Sequence, residues 1–309
     1  MPLSLEVFLK SLIKNMPNHS IQAKINAFLI VYFYELEVLL NADQKAISEI
    51  KFQSEESNTD EFIKRFLQQF LLKHNSIKST KIKNLALDAS AKTKSIKVSL
   101  FNKFEIIDVI LPEFLTKELK QKLAGKTKSV YTNPDLLLKI EGYNSTHYES
   151  VEIKSTKNNA IPGSSIQQVK PYEWVIFLKR NKAKTTITTG QYIHSINEKL
   201  PFPDRSPRPI VTFNTLSNWN KKNRYKKQDT LIIDSNIGQE EQKLKLLKDW
   251  QEILTEEWMG IILSKQKNKS EKWFNNTLRK FAVKLLKHSS NSTKKELDLL
   301  IEDLKKLIN

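Results

Sequence analysis

Two short runs concentrate the residues able to do chemistry. Asn133-Pro134-Asp135 leads into the apolar Leu136-Leu137-Leu138, and Val151-Glu152-Ile153-Lys154-Ser155-Thr156 follows after a break at Gly142-Tyr143-Asn144. Side chains alternate along an extended chain, so Glu152 and Lys154 share one face. Asp135 can join them from the adjacent strand across the turn. Two carboxylates and the Ile153 carbonyl make an oxygen-only site of the kind Mg²⁺ takes. Lys154 beside it is placed to orient a water or help deprotonate it. A cation held there polarises a phosphoryl oxygen, acidifies the attacking water and neutralises charge on the leaving oxygen, so phosphodiester hydrolysis needs no covalent nucleophile. The competing reading is a turn capped by Asp135 and a solvent-facing Glu152/Lys154 pair. Against it, Val151 and Ile153 make one face apolar, and helices on either side predict that the other face is covered too.

The elements that must position these residues follow from hydrophobic period. Apolar residues recur at helical spacing at Leu5, Phe8 and Leu12, again over Phe28–Leu40, and at Phe62, Ile63, Phe66, Leu67, Phe70 and Leu71 behind Thr59-Asp60-Glu61. Ser76–Lys103 is Lys- and Ser-rich with one strand expected at Ile96–Phe101. Phe104–Leu111 is a short apolar run, Pro112 opens a helix through about Leu123, and Gly125 stands where a C-terminal cap belongs. Strand, turn, strand, short helix and strand are expected over Val130–Lys179. Ile161–Lys170 reads as a short helix or loop that Pro171 ends, and the last strand is Trp174–Leu178. Residues 200 to 240, with Pro201, Pro203, Pro207 and Pro209, read as loop-dominated. Helices return with Leu247, Trp250, Leu254, Trp258 and Ile261, then Phe274 to Leu285, then Leu297 to Ile308. The expected division is 1–103 mainly helical, 104–200 the core carrying the chemistry, 201–240 basic and loop-rich, and 241–309 helical.

Composition narrows the partners. The 309 residues hold 51 basic against 34 acidic side chains, a net charge of +17, which favours a polyanion. No cysteine is present, which excludes disulfide frameworks, thiolate zinc sites and cysteine nucleophiles. The longest apolar run, Ala27–Tyr34, is followed at once by Glu35 and Glu37, so no membrane span is expected. The opening Met-Pro-Leu-Ser-Leu-Glu carries no secretory pattern, and a cytoplasmic location is expected. His19, His74, His147, His194 and His288 are scattered without metal-ligand spacing.

Two segments suit nucleic acid. After the second motif, Lys157, Asn158, Asn159, Ser164, Ser165, Gln167 and Gln168 supply donors around Gly163, where a ligand backbone can come close. In 205 to 227, Arg205, Arg208, Lys221, Lys222, Arg224, Lys226 and Lys227 occur without an acidic residue, with Phe213, Trp219 and Tyr225 between them. Half of the six arginines fall here, and arginine can clasp guanine in a bidentate pair.

Pro134-Asp135 followed by Glu152-x-Lys154 resembles the active-site signature of the PD-(D/E)xK nucleases, over roughly residues 130 to 180. The resemblance implies an α/β (α+β mixed) restriction-endonuclease-like core, a central mixed sheet flanked by helices, here with helical additions at both ends. It implies Mg²⁺ at Asp135, Glu152 and the Ile153 carbonyl, with Lys154 serving the water. A third acid often comes from a preceding helix, with Glu113 and Glu118 as candidates. Gln168 and Tyr172 are similar to a Gln-x-x-x-Tyr element of recombination-type relatives. Size and the absence of a motor motif favour a type II restriction endonuclease acting on double-stranded DNA as a homodimer, with a cognate DNA methyltransferase as functional partner. A structure-specific or repair nuclease of the same fold, and a non-catalytic DNA-binding protein, stand as alternatives.

Overall fold

The computed structural model describes residues 21–48, 61–78, 81–89, 92–124, 134–166, 168–181, 184–197, 208–234, 237–265 and 273–308. The expected helix around Leu5–Leu12, the cap at Thr59-Asp60, Gly125, Gln167 and Arg205 lie outside these residues.

The chain divides into two compact units, Met1–Leu247 and Lys248–Asn309. In the first, α1 (Ile21–Ala42), α2 (Gln44–Ser48) and α3 (Glu61–Lys73) precede the strands. α1 is apolar on nearly every side, as a helix inside a core must be. It has the length and composition of a membrane span, yet Phe28, Phe33, Leu36 and Leu40 are packed in the protein's own core.

The principal sheet uses β3 (Glu105–Ile110), β4 (Leu136–Gly142), β5 (Ser145–Thr156), β7 (Trp174–Arg180) and β8 (Thr185–Gln191), in spatial order β3-β4-β5-β7-β8. β6 is the short Ala160–Pro162 that follows β5. The β3/β4, β4/β5 and β7/β8 pairs are antiparallel, whereas β5 and β7 run parallel. β4 and β5 are joined by a two-residue turn in which Tyr143 and Asn144 both have positive φ, 50° and 56°, the conformation that matches strand twist in tight hairpins.

Both faces of this sheet are covered, which is why its strands read as continuous apolar runs. On one face Leu136, Leu138, Val151, Ile153, Trp174 and Ile176 join the core formed with α1 and α3, and Phe33 stacks on Trp174 at 4.2 Å between ring centroids. On the other, Val175 and Phe177 meet Tyr192, Val211, Phe213 and Leu216.

Several expectations are corrected. Ser76–Lys103 holds two strands, β1 (Asn84–Ala89) and β2 (Lys92–Lys97), rather than one at Ile96–Phe101. Pro112 opens only a 3₁₀ turn, Pro112–Phe114, and the helix proper, α4, is Lys117–Ala124. Of the two alternatives for Ile161–Lys170, the described part follows the loop, with turns after the end of β6 and no helix. Residues 208–234 are not loop-dominated. After α5 (Tyr192–Ser195) and β9 (Ile196–Asn197) come β10 (Ile210–Thr212), α6 (Phe213–Asn223) and the hairpin β11 (Arg224–Lys227)/β12 (Thr230–Asp234). That hairpin completes a second sheet, β11-β12-β1-β2, and β6, β10 and β9 form a third. α7 (Ile237–Lys248) follows. The second unit contains α8 (Trp250–Leu263), α9 (Trp273–Asn291) and α10 (Lys294–Leu307), the last opened by a capping box at Thr293 and Glu296.

Candidate active site

The antiparallel ladder of β4 and β5 runs from Gly142↔Ser145 to Leu136↔Val151 and stops there, while β5 continues to Thr156. Beyond the last rung the side chain of Asp135 substitutes for missing backbone: its Oδ2 accepts the Ile153 N–H at 2.8 Å. N–H and C=O of one strand residue project from the same edge, so the Ile153 carbonyl emerges on the edge where the Asp135 carboxylate sits. Pro134 and the ladder's end thus deliver a carboxylate to a strand edge, a placement that rests on backbone geometry.

Glu152 and Lys154 point to the sheet face opposite Val151 and Ile153, beneath the second apolar cluster. Lys154 is fully buried and its Nζ donates to Glu152 Oε1 at 2.5 Å. The hydroxyl of Ser164 donates to the same Oε1 at 2.9 Å, and the Ser164 N–H donates to the Tyr192 hydroxyl at 2.8 Å. A Cβ on Gly163 would lie 2.3 Å from that hydroxyl and 2.6 Å from the Pro209 carbonyl. Glycine is therefore required there by the protein's own packing, and Tyr192 can brace Ser164 because of it. The solvent-facing reading of the Glu152/Lys154 pair is excluded by this burial.

Electrostatics tie the groups together. Burial, then the neighbouring Glu152 charge, push the Asp135 carboxyl up to about 6 against the pull of Lys64 and the Ile153 amide. Burial pulls the Lys154 ammonium down, but the Glu152, Tyr192 and Asp135 charges and the hydrogen bond to Glu152 outweigh it and leave its pKa raised. A charged Lys154 is suited to orienting a water and steadying negative charge rather than to taking up a proton. Glu173, just before β7, is a functional candidate that sequence reading missed. Burial and the Glu152 charge lift its carboxyl to about 8, opposed by the hydrogen bond to Ser150 and by Lys170. The parallel register that pairs Val151 with Trp174 sets Glu173 beside Ser150, two residues before Glu152. Only that pairing, which sequence alone does not supply, could have found it.

The donor set fits a hard cation. The buried Asp135 and the half-buried Glu152 repel each other beside the edge that carries the Ile153 carbonyl, and a divalent ion between them would relieve the repulsion. Among the described residues no group of three His, Asp or Glu side chains converges. Glu113 is drawn to Arg65 at 3.8 Å and Glu118 is fully exposed at the start of α4, so neither completes the set. From the preceding helix α3 comes a cation instead, with Lys64 Nζ 2.6 Å from Asp135 Oδ1.

The expected DNA contacts separate into two groups. Lys221 and Lys222 at the end of α6, Lys226, Lys227 and Tyr225 on β11, Lys157, Asn158 and Arg208 are exposed. Ser165 and Gln168 are half-buried beside the site, in a turn closed by the Gln168 N–H on the Ser165 carbonyl at 2.7 Å. Other side chains are committed to the fold. The Asn159 side chain and carbonyl accept the Asn214 and Phe213 N–H groups at 2.9 Å each, helping to cap α6. Trp219 is buried and stacks on His194 at 3.5 Å. Arg224 is buried against Glu37 of α1 at 2.5 Å. Trp219 and Arg224 are therefore structural, a correction to their reading as DNA contacts: an arginine in a basic run reads alike whether it faces solvent or a buried acid. The sequence matches no family model and no curated protein.

Proposed function

We propose that the chain is a Mg²⁺-dependent endonuclease of the PD-(D/E)xK type that cuts double-stranded DNA in the manner of a type II restriction enzyme. The observation that carries this reading is the convergence of Asp135, Glu152 and the Ile153 edge with a buried, charged Lys154 on one mixed sheet flanked by helices. A structural pair would not need a lysine enclosed under a second apolar layer, where burial costs more than the pairing returns.

Asp135, Glu152 and the Ile153 carbonyl would hold the cation, which would supply Lewis acidity and an acidified water. Asp135 is held in place by its bond to the Ile153 amide, Glu152 by Ser164 and Lys154. Lys154 adds positive charge where it develops negatively in the transition state. Phosphates are met by the exposed lysines of α6 and β11 and by Lys157, which set register without reading sequence.

Incubating supercoiled plasmid with the protein in Mg²⁺ tests the proposal. Discrete linear fragments are expected. Smeared products would favour a structure-specific nuclease of the same fold, and binding without any metal-dependent nicking would leave a non-catalytic DNA-binding protein.

A further inference from the structure

We infer that Lys64 is a positioning residue for Asp135 that restricts the site to a single divalent cation, an inference that rests on Asp135 and Glu152 being metal ligands. Lys64 projects from α3 on the same face as Gln68, one turn later. Gln68 Nε2 donates to the Val109 carbonyl of β3 at 2.6 Å and so fixes that face of the helix on the sheet. Lys64 Nζ then meets Asp135 Oδ1 at 2.6 Å, with the two side chains 16% and 11% exposed. The adjacent Arg65 is spent elsewhere, on Glu61 and Glu113.

Inward positions of α3 are otherwise filled by Ile63, Leu67, Phe70 and Leu71. A largely buried ion pair does not in general outdo apolar packing, so a lysine among them calls for an electrostatic reason. The site has one: each of its carboxylates has its own ammonium, Lys64 on Asp135 and Lys154 on Glu152. The two oxygens of Asp135 are thereby divided. Oδ2 takes the Ile153 N–H and lies at the edge carrying the Ile153 carbonyl, whereas Oδ1 is covered by Lys64.

Two-metal sites place their ions about 3.5–4 Å apart, commonly bridged by a carboxylate that gives one oxygen to each. On Asp135 the second oxygen is already engaged by the Lys64 ammonium at 2.6 Å, on the side where a second cation would bind. The ammonium does in permanent form what a second ion does elsewhere, and keeps the carboxylate aimed before metal arrives.

The test uses the full chain without DNA. Free Mn²⁺ is followed by electron paramagnetic resonance during titration, and unfolding temperature is measured with and without Ca²⁺, for wild type, Lys64→Met and Asp135→Asn. Wild type is expected to bind one Mn²⁺ per chain and Asp135→Asn none. Lys64→Met should melt lower than wild type without metal, and its Ca²⁺-induced rise should exceed that of wild type because the ion replaces the missing charge. Two Mn²⁺ per wild-type chain, or an equal or smaller Ca²⁺-induced rise in Lys64→Met, overturns the inference while leaving the metal site standing. Should Lys64→Met not fold, Lys64→Gln carries the same comparison. Absence of Mn²⁺ binding in wild type, or binding indifferent to Asp135→Asn, removes the metal site itself and this inference with it.

Discussion

Asp135, Glu152 and Lys154 divide labour in a way that alanine substitution exposes. On the proposed function each replacement should abolish Mg²⁺-dependent cleavage while DNA affinity stays within about tenfold, because the groups assigned to metal and charge are lost and the phosphate contacts are not. Parallel cleavage and gel-shift titrations check this, and near-normal cutting by Asp135→Ala would dismiss the site. Glu173 predicts something separable from catalysis. Its carboxyl is raised to about 8 in the fold from an ordinary value of 4.5, so between those values the folded protein holds a proton that the unfolded chain has lost. Stability of the metal-free protein should then decline as pH rises through that window, by at most about 1.4 kcal/mol per pH unit. Glu173→Gln should flatten the decline in urea unfolding followed from pH 5 to 8. At this scale Glu152 and Lys154 were legible because period two fixes which side chains share a face. Lys64, Ser164 and Glu173 were not, since each reaches the cluster through a contact between elements distant in sequence.

Among elements, α3 could be read from its apolar stripe, whereas α6 could not. Phe213, Leu216 and Trp219 have helical spacing, but the buried positions after them are Asn220, Asn223 and Arg224, polar residues that look like loop. The fold meets only part of their hydrogen-bonding capacity, and Asn220 Oδ1, Asn223 Oδ1 and Arg224 Nε find no partner among the described residues. Asn220 Nδ2 donates to the Thr188 hydroxyl and the Thr189 carbonyl, each at 2.8 Å, and Arg224 is paired with Glu37. β1 and β2 were obscured for a related reason, since β2 is an edge strand rich in lysine and edge strands use such charge to discourage pairing. Arg224→Ala should accordingly lower stability in denaturant unfolding, by less than the roughly 3–5 kcal/mol of a fully buried pair, because Glu37 is 24% exposed and keeps the Thr189 N–H. Lys221→Ala and Lys226→Ala should leave unfolding unchanged and instead lower the salt slope of DNA binding by about one. Weaker DNA binding by Arg224→Ala with unaltered stability would return that arginine to the DNA surface.

For the whole molecule, the proposed double-strand cleavage asks one set of Asp135, Glu152 and Lys154 per chain to answer for two antiparallel strands. A two-fold homodimer on a palindromic site meets that demand. The Lys248–Asn309 unit offers material for it: Phe281 and Leu286 of α9 and Leu299, Leu304 and Leu307 of α10 are all at least 49% exposed, and patches of this kind commonly mark interfaces. Sedimentation on a short cognate duplex should show two chains per duplex, and Leu299→Lys with Leu304→Lys should reduce this to one. A 1:1 complex that cuts both strands would refute the dimer.

The turn at Tyr143 and Asn144 lies seven paired rungs, on the order of 20 Å, from Asp135, yet it is the gauge from which the chemistry is measured. Parity along β5 is counted from that corner. A slip of one residue inverts every side chain of the strand, swinging Lys154 toward Phe33 and Trp174 and turning Ile153 into the space reserved for Glu152. Two residues far from Asp135 therefore decide which side chains meet it, and an insertion or deletion at this corner would scatter the cluster as surely as the loss of Asp135 itself.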